Sequence, residues 1–329
     1  MRKWKRHADG TDARFFGRLF SRCETPCFLD GLFFEEVIGG QRMDTEKYRA
    51  LVSAIDCGTL SRTAEQMGYT VSAVSRMIAS LEEEHGFPLL VRSKTGVVPT
   101  PECSQLLPLM RRLLVDADEL YQTGMQISGC LCGTVRVATA YSIYYDRISR
   151  VIREFHEKYP GVQVEIAEGG YSSELADKLL QHQIDIAVIS EREADLSFTL
   201  LCEDELVVLL PDGHPCAGLE RVPLSLLKKG PYIETYPGRD VDNIRMLQKN
   251  GIRPESMFRS NDVYATVSMV RAGMGVALLN GIGCEFVDQS VCVRKLEPPQ
   301  MVRIGIASRP KSAPATKLLL QALVKQIPD

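Results

Sequence analysis

The cysteine and histidine side chains are the residues of this chain that could most directly do chemistry. The 329 residues include ten cysteines and five histidines. Cys130 lies two positions before Cys132, and Cys23 four positions before Cys27, but neither pair is joined by the second pair of ligands that a zinc site requires. No Gly-x-Ser-x-Gly motif or phosphate-binding loop accompanies the histidines. The sequence therefore predicts no enzyme, no metal site and no other cofactor.

A second group of residues has the composition of a nucleic-acid-binding helix. Ser72, Ala73, Ser75 and Arg76 would share the outer face of a helix whose inner face is apolar. Small side chains would allow this helix to enter the major groove of DNA, and the arginine could reach base edges or phosphates. A solvent-exposed helix face would have a similar composition, so the surrounding elements have to decide between the two interpretations.

The surrounding elements have the spacing of a helix-turn-helix followed by a wing. A first apolar helical pattern ends at Gly58, as helices commonly do. Thr59 and Thr70 would then cap a second and a third helix. A Gly-Phe-Pro turn and two short strands follow, which place Arg92 and Lys94 where the DNA backbone would pass. This context favours DNA binding.

Beyond residue 129 the hydrophobic pattern changes to alternating strands and helices. Such repetition predicts α/β units built on a parallel sheet. Strands are predicted over residues 134–140, 162–167, 184–189, 206–210, 232–234, 257–260, 276–279 and 302–307, and helices over 143–159 and 173–181.

Hydroxyl groups follow several of these strands. In open α/β sheets, ligands bind at the carboxyl ends of the strands, where helix N-termini supply hydrogen-bond donors. The residues at these positions, which we take as the candidate ligand site, are Tyr141, Ser142, Ser172, Ser190, Tyr236 and Pro237. Any single hydroxyl is as consistent with a helix cap as with a ligand contact. Their common position at strand ends favours a binding site.

Two sets of motifs resemble the LysR-type transcriptional regulators. The DNA-binding half matches in Thr59–Glu65, Ala73–Arg76, Leu81–Glu83 and Gly86–Arg92, and the second half in Gly133–Val137, Phe155–Pro160, Ile184–Ala187, Leu210–Pro215 and Val270–Leu279. The chain departs from the family at Val71, where glutamine is common, which removes a phosphate or base contact. The resemblance covers nearly the whole chain from Tyr48 to Pro328.

The resemblance implies a fold and a function. The expected fold class is α/β with an all-α-rich N-terminal domain: a winged helix-turn-helix, a long linker helix, and a two-lobed α/β effector domain resembling periplasmic binding proteins. The expected function is transcription regulation by a homo-oligomer, dimer or tetramer, that binds promoter or operator DNA and an anionic small-molecule effector. The DNA-facing residues would be Arg62, Thr70, Ser72, Ala73, Ser75, Arg76, Arg92 and Lys94.

Pattern and resemblance together predict the domain boundaries. Residues 1–42 form an extension without sustained periodicity, which we expect to be disordered or to precede the true translation start at Met43. The alternative is a basic arm that binds DNA or a membrane surface. The predicted domains are a DNA-binding domain over 43–103, a linker helix over 104–129 and an effector domain over 130–329. Within the last, the first lobe would comprise 133–205 and 275–329, and the second lobe 206–274.

Charge indicates that one DNA-binding domain alone would bind weakly. The whole chain has a formal net charge of -3, and acidic residues also outnumber basic ones within the predicted domain. Phosphate neutralisation dominates affinity for DNA, so two or more domains on one site would have to compensate. A long apolar stripe from Leu106 to Tyr121 lies on a helix that is predicted to run from about Pro101 to Ser128. This stripe could either pack on its own chain or, as the resemblance implies, pair linker helices in a dimer.

Three further expectations complete the sequence-based interpretation. Scattered cysteines without a secretory signal indicate reduced thiols and a cytoplasmic protein, and no apolar run is long enough to span a membrane. A redox switch at Cys202 and Cys216 is a minor alternative, since some members of the family sense oxidants through cysteine. The competing class is a solute-binding protein or an α/β enzyme with a fused helical module.

Overall fold

The structure, a computed structural model, describes residues 44–93, 96–284 and 286–327. The predicted extension over residues 1–42 and the predicted DNA contact Lys94 lie outside these residues. Within them, no helix is both long enough and apolar enough to cross a membrane.

The first part of the described chain is three helices followed by a β-hairpin. They are α1 (Thr45–Cys57), α2 (Leu60–Met67), α3 (Val71–His85), β1 (Leu90–Ser93) and β2 (Gly96–Pro99). Asp44, Thr59 and Thr70 are the N-caps, and each side chain accepts a hydrogen bond from a backbone N–H in the first turn. Each of the three helices ends at a glycine in the left-handed conformation. Local capping therefore sets the boundaries of these helices.

The hairpin is attached to the helices by backbone groups and one carboxylate. The Val97 N–H donates to the Gly58 carbonyl at 2.8 Å, and a Cβ on Gly96 would lie 2.3 Å from that same oxygen. The Glu82 carboxylate accepts hydrogen bonds from the N–H groups of Leu89 and Leu90 at 2.8 and 3.1 Å. These bonds fix the wing against α1 and α3.

The long helix α4 (Pro101–Ile127) follows the hairpin, and it divides the predicted apolar stripe between two environments. Met110 and Leu114 are buried against the core of the three helices. By contrast, Leu109 and Leu120 of the stripe are 64% and 68% exposed, and Ile127, which lies beyond the stripe, is 83% exposed. Part of the stripe therefore packs on its own chain, and part does not.

The remaining elements form two lobes. In chain order they are β3 (Gly133–Thr139), α5 (Tyr144–Lys158), β4 (Val162–Ile166), α6 (Ser172–Leu180), β5 (Ile186–Ser190), β6 (Ser197–Pro211), β7 (Arg221–Pro223), a 3-10 helix (Leu224–Lys228), β8 (Tyr232–Thr235), α7 (Asp242–Lys249), β9 (Ser256–Ser260), α8 (Val263–Arg271), β10 (Ala277–Asn280), a 3-10 helix (Gly281–Cys284), β11 (Val291–Glu297), β12 (Met301–Ser308) and α9 (Pro314–Gln326).

The strand β6 passes through both lobes. Its first half pairs with β12, which in turn pairs with β5. The strand β3 lies between β5 and β4 and pairs in parallel with both. Its second half pairs with β10 on one edge and β11 on the other. We call residues 133–205 and 301–327 the first lobe and residues 206–297 the second lobe.

One predicted lobe boundary needs correction. The sequence predicted that the chain re-enters the first lobe at residue 275. In the structure β10 and β11 both pair with the second half of β6, so the chain returns only at β12. The reason is that the second half of a strand as long as β6 needs neighbours on both edges to satisfy its backbone groups.

Each lobe has its own apolar core. In the first lobe Ile148 and Phe155 of α5 and Leu319 of α9 pack against the sheet. In the second lobe Leu206, Val208 and Leu210 of β6 pack against Tyr232 and Leu247. The carboxyl ends of β3 and β5 face the segment that precedes α7, and this is where the lobes meet.

Candidate functional site

The predicted DNA-facing residues lie on one exposed surface formed by α2, α3 and the hairpin. Arg62, Thr70, Ser72 and Arg76 are exposed, whereas Ala73 and Ser75 are half-buried. The Thr70 hydroxyl accepts a hydrogen bond from the Ala73 N–H at 3.2 Å, so it caps α3. Thr70 therefore has a structural role as well as a position on this surface.

Arg92 connects the wing to the third helix. Its guanidinium donates to the Ser75 hydroxyl at 3.1 Å, across two different elements of the fold. The Arg76 guanidinium lies nearby on α3, with its Nε 3.4 Å from the Ser72 carbonyl. Two cationic side chains, Arg76 and Arg92, thus lie next to the small residues of α3, where they could reach DNA bases or phosphates.

Ion pairs join the long helix α4 to α1. The Arg111 guanidinium is buried and pairs with Asp56 at the end of α1, with Nη1 3.0 Å from the carboxylate. Arg49 of α1 pairs with Asp118 at 2.7 Å. Movement of α4 would therefore be transmitted to α1 and to the wing that α1 holds.

The second candidate site is a group of hydrogen bonds between the two lobes. Its centre is the carboxylate of Asp242, the first residue of α7 in the second lobe. Tyr141 donates to this carboxylate at 2.9 Å and Ser190 at 2.7 Å. The Arg192 guanidinium donates through both terminal nitrogens at 3.2 and 3.1 Å, and Asn280 donates at 3.3 Å. We call these five residues the interlobe cluster.

The interlobe cluster contains some of the predicted ligand residues and lacks others. Tyr141 and Ser190 belong to it, and Ser172 adjoins it because its hydroxyl accepts the Ser190 N–H at 3.0 Å. Ser142 is exposed in the turn before α5. Tyr236 packs its ring against Tyr171 instead, with 4.9 Å between ring centroids. Pro237 is half-buried in the same segment as Tyr236.

The segment from Tyr236 to Asp242 brings the second lobe onto the first at several points. Besides the Tyr171–Tyr236 ring contact, the Arg239 guanidinium lies 5.5 Å from the centre of the Tyr171 ring. The Ser173 hydroxyl donates to the Asp240 carbonyl at 3.1 Å. Tyr236 adopts a positive φ of 61°, which is uncommon for a residue other than glycine. We call residues 236–242 the closing segment.

Burial and charge set the electrostatics of this site. Burial, followed by the negative charge of Asp242, raises the pKa of the Tyr141 hydroxyl well above its ordinary value. The hydroxyl is therefore a proton donor at every physiological pH. Burial similarly raises the pKa of Tyr236. The donors of the site can hold a negatively charged oxygen group by hydrogen bonds.

The two cysteines considered for a redox switch, Cys202 and Cys216, pack against different cores. Cys202 lies on β6 with its sulfur 3.4 Å from the Tyr144 hydroxyl, whereas Cys216 packs against the core of the second lobe. Across residues 44–93, 96–284 and 286–327, no group of three or more histidine, cysteine, aspartate or glutamate side chains could hold a metal ion.

Comparison with known families decides what these two sites belong to. Residues 45–104 match the family described as bacterial regulatory helix-turn-helix protein, lysR family. Residues 128–328, more than half of the chain, match the LysR substrate binding domain. The chain belongs to the LysR family. This LysR-family protein is a DNA-binding transcriptional regulator that responds to an effector and is not an enzyme.

Individual relatives match along most of the regulator. The HTH-type transcriptional regulator YvbU of Bacillus subtilis (strain 168) is 24% identical over 85% of this chain and 97% of its own. The malonate utilization transcriptional regulator of Klebsiella pneumoniae is 27% identical over 75% and 82%. Among solved structures, a full-length OxyR variant from Pseudomonas aeruginosa has a TM-score of 0.69, 21% identity, and coverage of 88% and 95%. The last likeness confirms the predicted fold.

Sequence reasoning missed three residues of the regulator's interlobe cluster. Asp242 begins a helix that was not predicted, Arg192 lies three residues beyond a predicted strand, and Asn280 follows another. A search for polar residues just after each strand would have found Arg192 and Asn280. No comparable signal marks Asp242, because it reaches the cluster only through the closure of one lobe on the other.

Proposed function

We propose that this LysR-family regulator binds a roughly two-fold operator as a homo-oligomer and is controlled by a small carboxylate-bearing effector bound between its lobes. The observation that carries the second half is the interlobe cluster, in which Tyr141, Ser190 and Arg192 of the first lobe all donate to one carboxylate. Donors arranged in this way suit a negatively charged group better than a neutral or cationic one.

The DNA-binding half of the proposal assigns roles to the surface on α3 and the wing. Arg76 is proposed to reach base edges from the major groove, and Arg92 and Arg62 to contact phosphates. Ser72, Ala73 and Ser75 would allow close approach, with Thr70 at the N-terminus of the helix. Val71 is exposed in the first turn of α3, so it offers an apolar contact to a thymine methyl group.

Dimerisation is proposed to occur through the exposed side of α4. Leu109, Leu120 and Ile127 are large apolar residues on a helix that also carries the DNA-binding domain. Exposed apolar surface on a helix favours pairing with a second copy. Pairing would also provide the second DNA-binding domain that the acidic balance of the chain requires.

The domain assignment and location follow from the same proposal. The DNA-binding domain would span 43–103, the linker helix 104–129 and the effector domain the remainder. The chromosome lies in the bacterial cytoplasm, so we place the regulator there. The effector is proposed to enter between the lobes, with Ser142, Tyr236 and Pro237 at the mouth of the site and Ser172 beside its floor.

A gel shift with the DNA upstream of the regulator's own gene tests the DNA-binding half. Specific retardation should survive competitor DNA and weaken steeply with salt, because phosphate contacts release counterions. A scrambled fragment of equal length and composition is the control. Equal affinity for both fragments would contradict operator binding. Equal retardation of Arg76→Ala and wild-type protein would contradict the proposed docking of α3.

The same gel shift tests the effector half with a panel of small carboxylates and their neutral amides. Malonate belongs in the panel because a relative is described as a malonate utilization regulator. An effective carboxylate should change the affinity or mobility of the complex, and its amide should not, since the amide lacks the charge that Arg192 would pair with. A response to amides and carboxylates alike would contradict the proposed anion selectivity.

A further inference from the structure

The position of the Asp242 carboxylate is the basis for an inference about how the effector site is regulated. Asp242 belongs to the second lobe, yet three of its hydrogen-bond donors belong to the first. Those donors are the groups expected to bind the charged end of an effector. Asp242 therefore occupies, as part of the chain, the position that an effector's carboxylate would take.

Charge makes simultaneous occupation by both carboxylates unfavourable. The side chains of Arg192 and Asp242 are only 8% and 9% exposed, so their charges are poorly screened by solvent. A second carboxylate beside Arg192 would place two negative charges on one guanidinium. Because like charges held close together in a buried site repel strongly, an incoming carboxylate has to replace Asp242 rather than join it.

Arg192 also retains unused donor capacity. Its terminal nitrogens bind Asp242, but its Nε is buried and has no hydrogen-bond partner within the part of the chain that the structure describes. A ligand carboxylate, unlike one tethered to α7, is free to bind the guanidinium through two parallel hydrogen bonds. A free carboxylate can thus satisfy this site better than Asp242 does.

Displacement of Asp242 would release more than one contact. The closing segment also holds the first lobe through the Tyr171–Tyr236 ring pair, the Arg239 guanidinium over Tyr171, and the bond from Ser173 to the Asp240 carbonyl. These are exposed or half-buried contacts on a short segment. The buried ion pair is therefore the contact whose loss would most readily change the relative orientation of the lobes.

We propose that Asp242 is a tethered carboxylate that competes with the effector for Arg192, Tyr141 and Ser190. The effector's carboxylate replaces it and releases the closing segment from the first lobe. This inference rests on the proposed function, because it concerns the same site. It adds that the bound effector opens this contact between the lobes instead of tightening it.

Removing the tethered carboxylate tests the proposal without knowledge of the natural effector. In the full chain carrying Asp242→Ala, the donors of the first lobe are left without their acceptor, so acetate should bind in its place. The melting temperature is measured against increasing sodium acetate, with sodium chloride at equal ionic strength as the reference. We expect a rise of about 2–4 °C once acetate exceeds its Kd about fivefold.

Three controls accompany this measurement. Wild-type protein should show a smaller rise than Asp242→Ala at each acetate concentration, because its own carboxylate competes for the same donors. Asp240→Ala removes a different carboxylate from the closing segment. The Asp240 carboxylate pairs with the exposed Arg245, so this variant should behave as wild type. Asp242→Ala combined with Arg192→Ala should lose the acetate response. An equal response in wild type and Asp242→Ala, or none in either, would overturn the proposal.

The test remains decisive if Asp242→Ala folds poorly. The yield of folded protein is then compared after refolding in acetate and in chloride: a higher yield in acetate supports the proposal, and equal yields contradict it. A variant that still binds the operator but ignores acetate counts against this inference alone. Failure of the wild-type protein to bind the operator would instead count against the proposed function.

Discussion

The DNA-facing surface and the interlobe cluster are built from contacts of very different range along the chain. On the DNA-facing surface, the bonds of Thr70, Arg76 and Arg92 join residues 3, 4 and 17 positions apart. In the interlobe cluster, the bonds to Asp242 join residues between 38 and 101 positions apart. The first is fixed by helix caps and a hairpin, whereas the second exists only when both lobes have folded and met.

This difference has an energetic consequence. The arginines of the DNA-facing surface, Arg62, Arg76 and Arg92, are exposed, so replacing one of them should alter DNA binding with little effect on folding. The interlobe cluster contains a buried ion pair, and removing one member leaves the other without its opposite charge. Stability should therefore separate the two regions, and so should the response to ligands.

The largest expected effect is the loss of stability in Arg192→Ala. The Asp242 carboxylate would remain buried without its positive partner, which typically costs about 3–5 kcal/mol in free energy of unfolding. Chemical denaturation of the full chain measures this loss. Arg245→Ala is the matched control, because Arg245 pairs with Asp240 in an exposed position and should change stability by about 0–1 kcal/mol. Equal effects of the two substitutions would contradict the buried character of the cluster.

A smaller effect on binding is expected from Arg76→Ala. If Arg76 reads a base, its loss should weaken specific operator binding by about 1–3 kcal/mol and leave non-specific binding nearly unchanged.

Arg92→Ala should instead weaken binding to all DNA sequences alike and reduce the salt dependence of binding, because a wing residue contacts phosphate. Binding titrations with operator and scrambled DNA at several salt concentrations distinguish the two patterns.

Arg112→Ala is the control for these DNA-binding variants. Arg112 is exposed on α4 and pairs with Asp116 one turn away, so it lies on a different element from the DNA-facing surface. Its removal should leave both affinity and salt dependence as in wild type. Identical salt dependence for Arg92→Ala and wild type would contradict the proposed phosphate contact of the wing.

The same difference in range explains what could be predicted from the sequence. Thr59 and Thr70 were predicted as caps from residue type and spacing alone, and each side chain does cap its helix. The predicted long helix from Pro101 to Ser128 agrees with α4 to within one residue. Such features depend on neighbours within one or two turns, and the sequence displays those neighbours directly.

Features that depend on distant pairing were predicted less well. Only the second half of β6 was predicted, because residues 197–205 alternate weakly and gain their strand partners from β12, about a hundred residues later. Asp242 was missed for the same reason. Tyr141 and Ser190 were found since they follow strands, but their shared acceptor could not be found without the closure of the lobes.

Two carboxylates extend the comparison to pH. In the DNA-binding domain, the hydrogen bond from Lys47 lowers the pKa of the exposed Glu84. In the effector domain, burial raises the pKa of Asp204, which lies on β6 where that strand passes between lobes. One Asp204 oxygen accepts the Ile282 N–H at 2.9 Å, and the other has no hydrogen-bond partner within the described ranges.

These opposite shifts predict opposite pH dependence, and Asp204→Asn and Glu84→Gln form the matched pair. A raised folded-state pKa means that the ionised Asp204 destabilises the fold. Asp204→Asn should therefore be slightly more stable than wild type at neutral pH, and the gain should shrink as the pH falls through the raised pKa towards the ordinary value of 3.8.

A lowered pKa means that ionised Glu84 stabilises the fold. Glu84→Gln should be slightly less stable at neutral pH, and that loss should vanish as the pH falls below 4.5 and through the lowered pKa. Melting temperatures of both variants and wild type across this pH range measure the two trends, and trends of the same sign would contradict the electrostatic contrast between the two regions.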